Sequence, residues 1–247
     1  MTDRTHFETV GLRIGTVSAP RADSAVARLH GLRTTDLSDA SRKNGVMAGI
    51  RSLAAVPATS IVGTAVTVSA PLGGFDIVKL GLQLCRPGDV LVINVQGQVG
   101  TAVWGGNLSR GAVNRGVAAV VVDGAVRDLT EIDSLGLPVF ARAACVSAAP
   151  VELPVGEVNV PIACGGTVVF PGDLIVGDSD GVVVIRPADL AGVLIAHAAV
   201  LAGHRQVRSV LDRGQVTSID RIVQRLEAAG MSIPAALRTD FPSEVPS

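Results

Sequence analysis

Residues 90–131 read VLVINVQGQVGTAVWGGNLSRGAVNRGVAAVVVDGAVRDLTE. Val90 to Val95 is apolar except for Asn94, and Val117 to Asp123 is apolar up to its last residue. Near-continuous Val/Ile runs of this kind belong to strands buried on both faces, because neither face alternates toward water. Asn107 to Arg115, between them, fits a helix, and Leu129 to Leu135 forms a short one before Pro138. Upstream, Ile61 to Val68 (IVGTAVTV) reads as another strand. Phe75, Val78, Leu82 and Cys85 then share one helical face, and Arg86-Pro87-Gly88-Asp89 supplies turn chemistry before Val90. The order is βαβα, which predicts an α/β fold with a central, mostly parallel sheet and flanking helices.

Beyond about residue 145 the runs shorten. Val158 to Ile162, Gly166 to Phe170, Leu174 to Gly177 and Gly181 to Ile185 are separated by Gly, Pro and Asp, as in antiparallel hairpins. Ala188 to about Leu211 is helical, and Ile219, Ile222, Val223 and Leu226 stand at helical offsets, so residues 188–238 form a C-terminal helical extension. Thr239 to Ser247 holds two prolines and no periodicity and reads as a loose tail. Without a long linker or an internal repeat, residues 1–247 are expected to form a single domain.

Composition excludes several classes. Of 247 residues, 48% are hydrophobic, which rules out intrinsic disorder. Lys+Arg 21 against Asp+Glu 22 leaves no basic footprint, and no Tyr, one Trp and five Phe leave no stacking platform, so no nucleic-acid partner is expected. No run approaches the about 20 uninterrupted apolar residues of a membrane span, and Met1 to Glu8 mixes charges unlike a signal peptide. Cys85, Cys145 and Cys164 are odd in number and lack CxxC spacing, which points to buried thiols in a reducing cytosol. A soluble cytoplasmic protein is expected.

Chemistry concentrates between Trp104 and Glu131. Gly105-Gly106 directly precedes a helix, where free amides attract an anion and missing side chains admit it. The same pair is also compatible with an ordinary turn. Its spacing fits neither a dinucleotide fingerprint nor a P-loop. Arg127-Asp128 falls at the carboxyl end of the next strand, the edge at which open α/β sheets bind ligands. Arg127 offers a planar cation to a carboxylate or keto oxygen and Asp128 a hard oxygen to a divalent metal. The competing assignment is a surface salt bridge with Asp128 capping the following helix. Asn94, Gln96 and Gln98 are further candidates to line the pocket. Asp178-Ser179-Asp180-Gly181 lacks the later ligands of a calcium loop and reads as a tight turn. Asp36, Ser38 and Asp39 read as a helix start, with a loop bordering the cleft as the alternative, while His6, His30 and His197 show no ligand spacing.

Taken together, these motifs resemble the regulator of ribonuclease activity A family, which includes class II pyruvate aldolases acting on 4-hydroxy-4-methyl-2-oxoglutarate and 4-carboxy-4-hydroxy-2-oxoadipate. The similarity runs over roughly residues 30–187, through Thr34–Ala40, Gly63–Thr67, Arg86–Asp89, Gly124-Ala125-Val126-Arg127-Asp128 and Pro171–Val182. It implies a β/β/α swivelling-type fold in homotrimers or homohexamers, with active sites at subunit interfaces and the C-terminal extension packed on a neighbouring subunit. It implies that Arg127 contacts a 2-keto oxygen and that Asp128 carries Mg²⁺ or Mn²⁺, largely through water. Amides around Asn107, Leu108 and Ser109, opened by Gly105 and Gly106, would hold the carboxylate of a small 2-keto acid. The implied function is a metal-dependent carbon–carbon lyase working through pyruvate enolate, with oxaloacetate decarboxylase activity at the same site. The only lysines, Lys43 and Lys79, lie outside these motifs, so no Schiff base is called for.

Two departures stand out. The family's aldolases carry an acidic residue twenty-one positions before the Arg, where this chain has Gly106. They also insert a Glu from the C-terminal helix into a neighbour's site, and His204 occupies that position here. His204 is thereby a candidate catalytic base. Loss of both carboxylates also leaves open a related lyase or hydratase with another substrate, and a non-catalytic, protein-binding regulator.

Overall fold

Branched Cβ atoms make Val, Ile and Thr favour extended, closely packed backbone, and these residues fill the apolar runs. The computed structural model describes residues 6–9, 12–16, 23–55, 59–71, 74–148, 155–214 and 219–234. In chain order it begins with β1 (His6–Thr9), β2 (Leu12–Ile14), α1 (Asp23–Leu29), α2 (Thr34–Ala40) and β3 (Arg51–Ala54). The α/β core follows as β4 (Ile61–Ser69), α3 (Phe75–Leu84), β5 (Asp89–Asn94), β6 (Ala102–Trp104), α4 (Gly106–Asn114), β7 (Ala119–Val126), α5 (Leu129–Ser134) and β8 (Val139–Ala144). Short strands come next: β9 (Gly156–Val158), β10 (Ile162–Cys164), β11 (Thr167–Val169), β12 (Leu174–Asp178) and β13 (Gly181–Ile185). A 3-10 turn at Pro187–Asp189 leads into α6 (Leu190–Leu211), and α7 (Asp220–Ala228) is the last helix described. The expected tail, Thr239 to Ser247, lies outside the described residues.

Strands β4, β5, β7 and β8 form a parallel core in that order. Further strands, most of them antiparallel to their neighbours, extend it into an eleven-stranded mixed sheet, while β6 joins β7 and β2 joins β9 in parallel. The other side of β4 is shared: Ile61–Thr64 pairs with β12, and Val68 and Ser69 pair with β9. Strand β3 closes the far edge against β8, and β10 with β11 makes a separate two-stranded ladder. The turn chemistry before β5 is realised by Asp89, whose Oδ2 accepts the Arg86 amide at 2.7 Å.

Alternation along each core strand feeds two apolar layers. Val66, Val68, Leu91, Ile93, Val120 and Val122 face α3, α4 and α5 through Ile77, Val78, Leu82, Ala112 and Ile132. Ala65, Val90, Val92, Ala119 and Val121 pack on the opposite side with Phe140, Ile175, Cys164 and Val169. Burial on both faces is why these strands read as unbroken apolar runs.

Two boundaries differ from the sequence expectation. The run Val158 to Ile162 is divided between β9 and β10 because Asn159 takes a left-handed backbone, φ 54°. Strand β7 does not stop at Asp123 but continues to Val126. Asp123 is satisfied by an ion pair with Arg142 and by the Gly165 amide, which donates to its Oδ2 at 2.9 Å. Gly124 is then required in mid-strand, since a Cβ there would lie 2.1 Å from Val95 Cγ2.

The chain divides into two compact units, Met1–His197 and Ala198–Ser247. Pro187–Leu211 is long and apolar enough to cross a membrane by length and composition. It escapes a search for uninterrupted apolar runs because Asp189, His197, His204, Arg205 and Arg208 punctuate it. Such a helix is equally at home in a globular protein, and Leu190, Val193 and His197 on one side are buried.

Candidate functional site

All eight residues of β7 are buried, so the strand is a rigid post for the Arg-Asp pair beyond its carboxyl end. The Arg127 amide donates to Trp104 O at 3.0 Å, extending the β6–β7 pairing by one bond. Asp128 then turns left-handed, with φ 60° and ψ 38°. That conformation costs a non-glycine residue about 1–3 kcal/mol and concentrates at functional sites. Asp128 occupies the N-cap position of α5 but makes no side-chain capping bond. Its Oδ2 accepts the Gly106 amide at 3.0 Å instead, which decides against a simple helix cap. Arg127 Nε lies 3.6 Å from the same oxygen, and the two side chains are 44% and 41% exposed. An ion pair so open adds little stability, but it leaves both groups reachable by a ligand.

Gly105 makes this approach possible. A Cβ there would stand 2.7 Å from Asp128 Oδ2 and 3.1 Å from Arg127 Cγ. Helix α4 begins immediately after it, and its first helical bond runs from the Ser109 amide to Gly105 O at 3.0 Å. The amides of Asn107 and Leu108 precede that bond and have no intrahelical acceptor, as at any helix start. Ser109 departs from the expected amide cradle. Its N–H is committed to Gly105, and its buried hydroxyl accepts Trp104 Nε1 at 2.8 Å and donates to Gly105 O at 3.0 Å. Ser109 therefore fixes Trp104 and the glycine turn rather than offering a free donor.

Phe75, Trp104, Gly105, Gly106, Asn107, Leu108, Arg127 and Asp128 line a cavity of about 210 Å³. Arg127 and Asp128 also border a second hollow of about 330 Å³ with Ala144, Cys145 and Val146, so the pair is shared by the two hollows. Larger cavities lie elsewhere, about 490 Å³ beside Asn44 and Arg186, about 430 Å³ beside Thr34, Arg51 and Asp180, and about 400 Å³ beside Thr64 and Asn159. None of the three has a carboxylate held at positive φ beside a guanidinium and helix-start amides. Asn94, Gln96 and Gln98 do not line the 210 Å³ cavity, and Asn94 Oδ1 accepts the Gln96 amide at 2.6 Å in a turn.

Among the described residues no three His, Cys, Asp or Glu side chains cluster as a closed metal cage. Mg²⁺ does not need one, because it commonly takes one or two carboxylates and keeps several waters. Asp128, exposed and supplying hard oxygens, fits such an ion. Glu131 in the first turn of α5 is a nearby carboxylate absent from the sequence-derived candidates, although its spacing of three residues from Asp128 is visible in the chain. His204 lies on α6 in the second unit and is half-buried. Asp178 accepts the Thr34 amide at 2.8 Å and hydroxyl at 2.6 Å and the Asp180 amide at 3.0 Å, so that stretch is a turn tying down α2. Asp36 sits in the first turn of α2, held by two Arg33 bonds of 2.9 Å. Cys85 and Cys164 are buried as expected, whereas Cys145 is half-exposed.

Fold and site define an α/β protein with an Arg–Asp pair at the carboxyl edge of parallel strands, facing the open amides of a glycine-started helix. The chain belongs to the RraA-like family, described as Aldolase/RraA, which matches residues 34–184. A relative in Halalkalibacterium halodurans, named "Putative 4-hydroxy-4-methyl-2-oxoglutarate aldolase", is 40% identical over 54% of this chain and 63% of its own. A protein of the same name in Deinococcus radiodurans is 36% identical over 62% of this chain and 93% of its own. The solved structure of the RNA-processing inhibitor RraA from Thermus thermophilis superposes with a TM-score of 0.56, at 34% identity, over 62% of this chain and 92% of that one. The match thus spans less than two thirds of the Halalkalibacterium relative's length.

Proposed function

We propose that this chain is a divalent-metal-dependent carbon–carbon lyase that takes a small 2-keto acid to pyruvate enolate. A 4-hydroxy-4-methyl-2-oxoglutarate-type aldol cleavage and oxaloacetate decarboxylation would share the site. The observation that carries this is the strained, exposed Asp128 held beside Arg127 and against the start of α4. The names of the aldolase relatives support the same chemistry.

In this mechanism the Asn107 and Leu108 amides bind the substrate carboxylate, and the positive end of α4 favours its charge. Arg127 donates to the keto oxygen. As the carbon–carbon bond breaks, its electron pair moves into the enolate, and the Arg127 bond strengthens as negative charge gathers on that oxygen. Asp128 would hold Mg²⁺ or Mn²⁺. When bound, the ion supplies Lewis-acid stabilisation of the same developing charge. Protonation at carbon then releases pyruvate. In the proposed assembly, a homotrimer or homohexamer, His204 serves a neighbouring subunit's site as base.

The test is pyruvate release from 4-hydroxy-4-methyl-2-oxoglutarate and from oxaloacetate, with Mg²⁺ or Mn²⁺ and with EDTA. Metal-dependent release is expected, and Asp128→Ala should lower it at least about 100-fold, as loss of a charge-stabilising group does. Retained metal-dependent turnover in Asp128→Ala would overturn the assignment. Absence of release from both substrates would move the function to a different substrate or to protein binding, in keeping with the inhibitor role named for the Thermus protein.

A further inference from the structure

The cavity of about 400 Å³ opens at the other end of the parallel strands. Thr64 on β4 lies directly opposite Asp89, the first residue of β5. The cavity therefore sits at the amino edge of the sheet, whereas Arg127 and Asp128 follow the carboxyl end of β7. Its polar lining is Thr16, Thr64, Arg86, Asp89 and Asn159, set against apolar Ile14 and Leu84. Thr64 Oγ1 and Asn159 Oδ1 are buried without a hydrogen-bond partner. Buried polar groups are nearly always paired, so two orphans on residues that line one cavity call for an explanation. Asn159 also holds the left-handed backbone, φ 54°, that separates β9 from β10, a conformation that stores strain. Gly15 closes against it, since a Cβ there would stand 2.0 Å from Asn159 O. Arg86 completes the set. Its amide donates to Asp89 Oδ2 at 2.7 Å, but its guanidinium has no hydrogen bond or ion pair among the described residues.

We infer that this cavity is a second binding site, for a small anion carrying several hydroxyl groups, the chemistry shared by sugar acids and sugar phosphates. Arg86 meets the anionic group as a planar, permanently charged donor. Threonine hydroxyls and an asparagine amide each donate and accept, as sugar hydroxyls do. Guest hydroxyls at Thr64 Oγ1 and Asn159 Oδ1 remove the two orphans, and Ile14 and Leu84 present apolar surface to the guest's C–H faces. The volume lies within the range of small-molecule sites, which begins near about 300 Å³. Nothing in this site needs a metal or a carbon–carbon cleavage, so it stands apart from the function proposed above.

Isothermal titration calorimetry on the full chain tests this with D-gluconate and D-ribose 5-phosphate. Hexanoate, which keeps a charge without hydroxyls, and sorbitol, which keeps hydroxyls without a charge, are the controls. At least one of the two hydroxylated anions should bind with a dissociation constant below about 1 mM. Both controls should bind at least about tenfold more weakly, since each forfeits one class of contact. A preference between gluconate and ribose 5-phosphate tells a carboxylate guest from a phosphate one. Arg86→Gln, Thr64→Val and Asn159→Gly should each weaken binding about tenfold. Their melting temperatures should stay at or above the parental value, because they remove an exposed charge, an unpaired hydroxyl and a strained side-chain-bearing residue. Arg127→Gln should bind as the parent does. The site is overturned if neither anion binds and the cavity holds water only, or if hexanoate or sorbitol binds as tightly as the anions. Binding that survives Arg86→Gln and disappears in Arg127→Gln would overturn it too, because the probe would then occupy the Arg–Asp pair.

Discussion

Asp128 holds a backbone conformation that few side chains tolerate, and its carboxylate faces away from the helix that it could have capped. Both features make sense when the side chain is needed at the α4 start. The nearby requirement at Gly105 is one of space: its φ of −167° is ordinary extended backbone. Gly105→Ala would bring a methyl group to 2.7 Å from Asp128 Oδ2 and 3.1 Å from Arg127 Cγ. Because both contacts are with flexible, half-exposed side chains, the pair would move and the fold would not. The expected stability loss is within about 1 kcal/mol. Turnover should fall about 100-fold, since displacement of a catalytic group by about 1 Å is enough for that. A melting curve and a pyruvate-release assay on the same preparation separate the two effects. A substantially lowered melting temperature would show that Gly105 serves the fold instead.

At the level of elements, the central strands and helices were legible because two-sided burial writes itself as unbroken apolar runs. Strand β5, helix α4 and the β12–β13 hairpin lie within a residue or so of their expected bounds. The short strands β3, β6 and β8 were not legible. Their apolar stretches, such as Ala102-Val103-Trp104 and Val139-Phe140-Ala141, are only three residues long, too short to show a period, and their extension comes from pairing with neighbours already in place. Asp123 imitated the end of a strand because its partners, Arg142 and Gly165, are far away in sequence. Arg127, Asp128 and the glycine pair could be read from their positions after strands. The closeness of Glu131 to residue 106 could not, since it depends on how α4 and α5 pack together. The thiols offer a check at this scale. Burial, aided by Asp89, pushes the Cys85 thiol up to about 12, and burial also raises Cys164. Below those values the reactive thiolate is scarce, so at pH 8 Cys85 and Cys164 should resist a disulfide reagent while half-exposed Cys145 reacts. One fast thiol per native chain, against three after denaturation, is the expected titration. Fast reaction of all three in the native state would contradict the packing around β5 and β10.

For the molecule as a whole, the site hangs from the strand least able to move on its own. Strand β7 lies between β5 and β8, with both faces covered and every residue buried. Its peptide hydrogens therefore should exchange with deuterium only when the Met1–His197 unit opens completely, the slowest class of exchange. The helices of the Ala198–Ser247 unit, whose described residues are mostly exposed, should exchange much sooner. Exchange along β7 as rapid as that in α7 would refute this ordering. The anchoring also determines how the protein fails on warming. Where a reactive group rides on a loose loop, heat silences it well before the fold gives way. Arg127 and Asp128, fastened to the end of β7, have no such early exit, so ligand binding at the pair and the fluorescence signal of buried Trp104, the one tryptophan of the sequence, should be lost along a single curve.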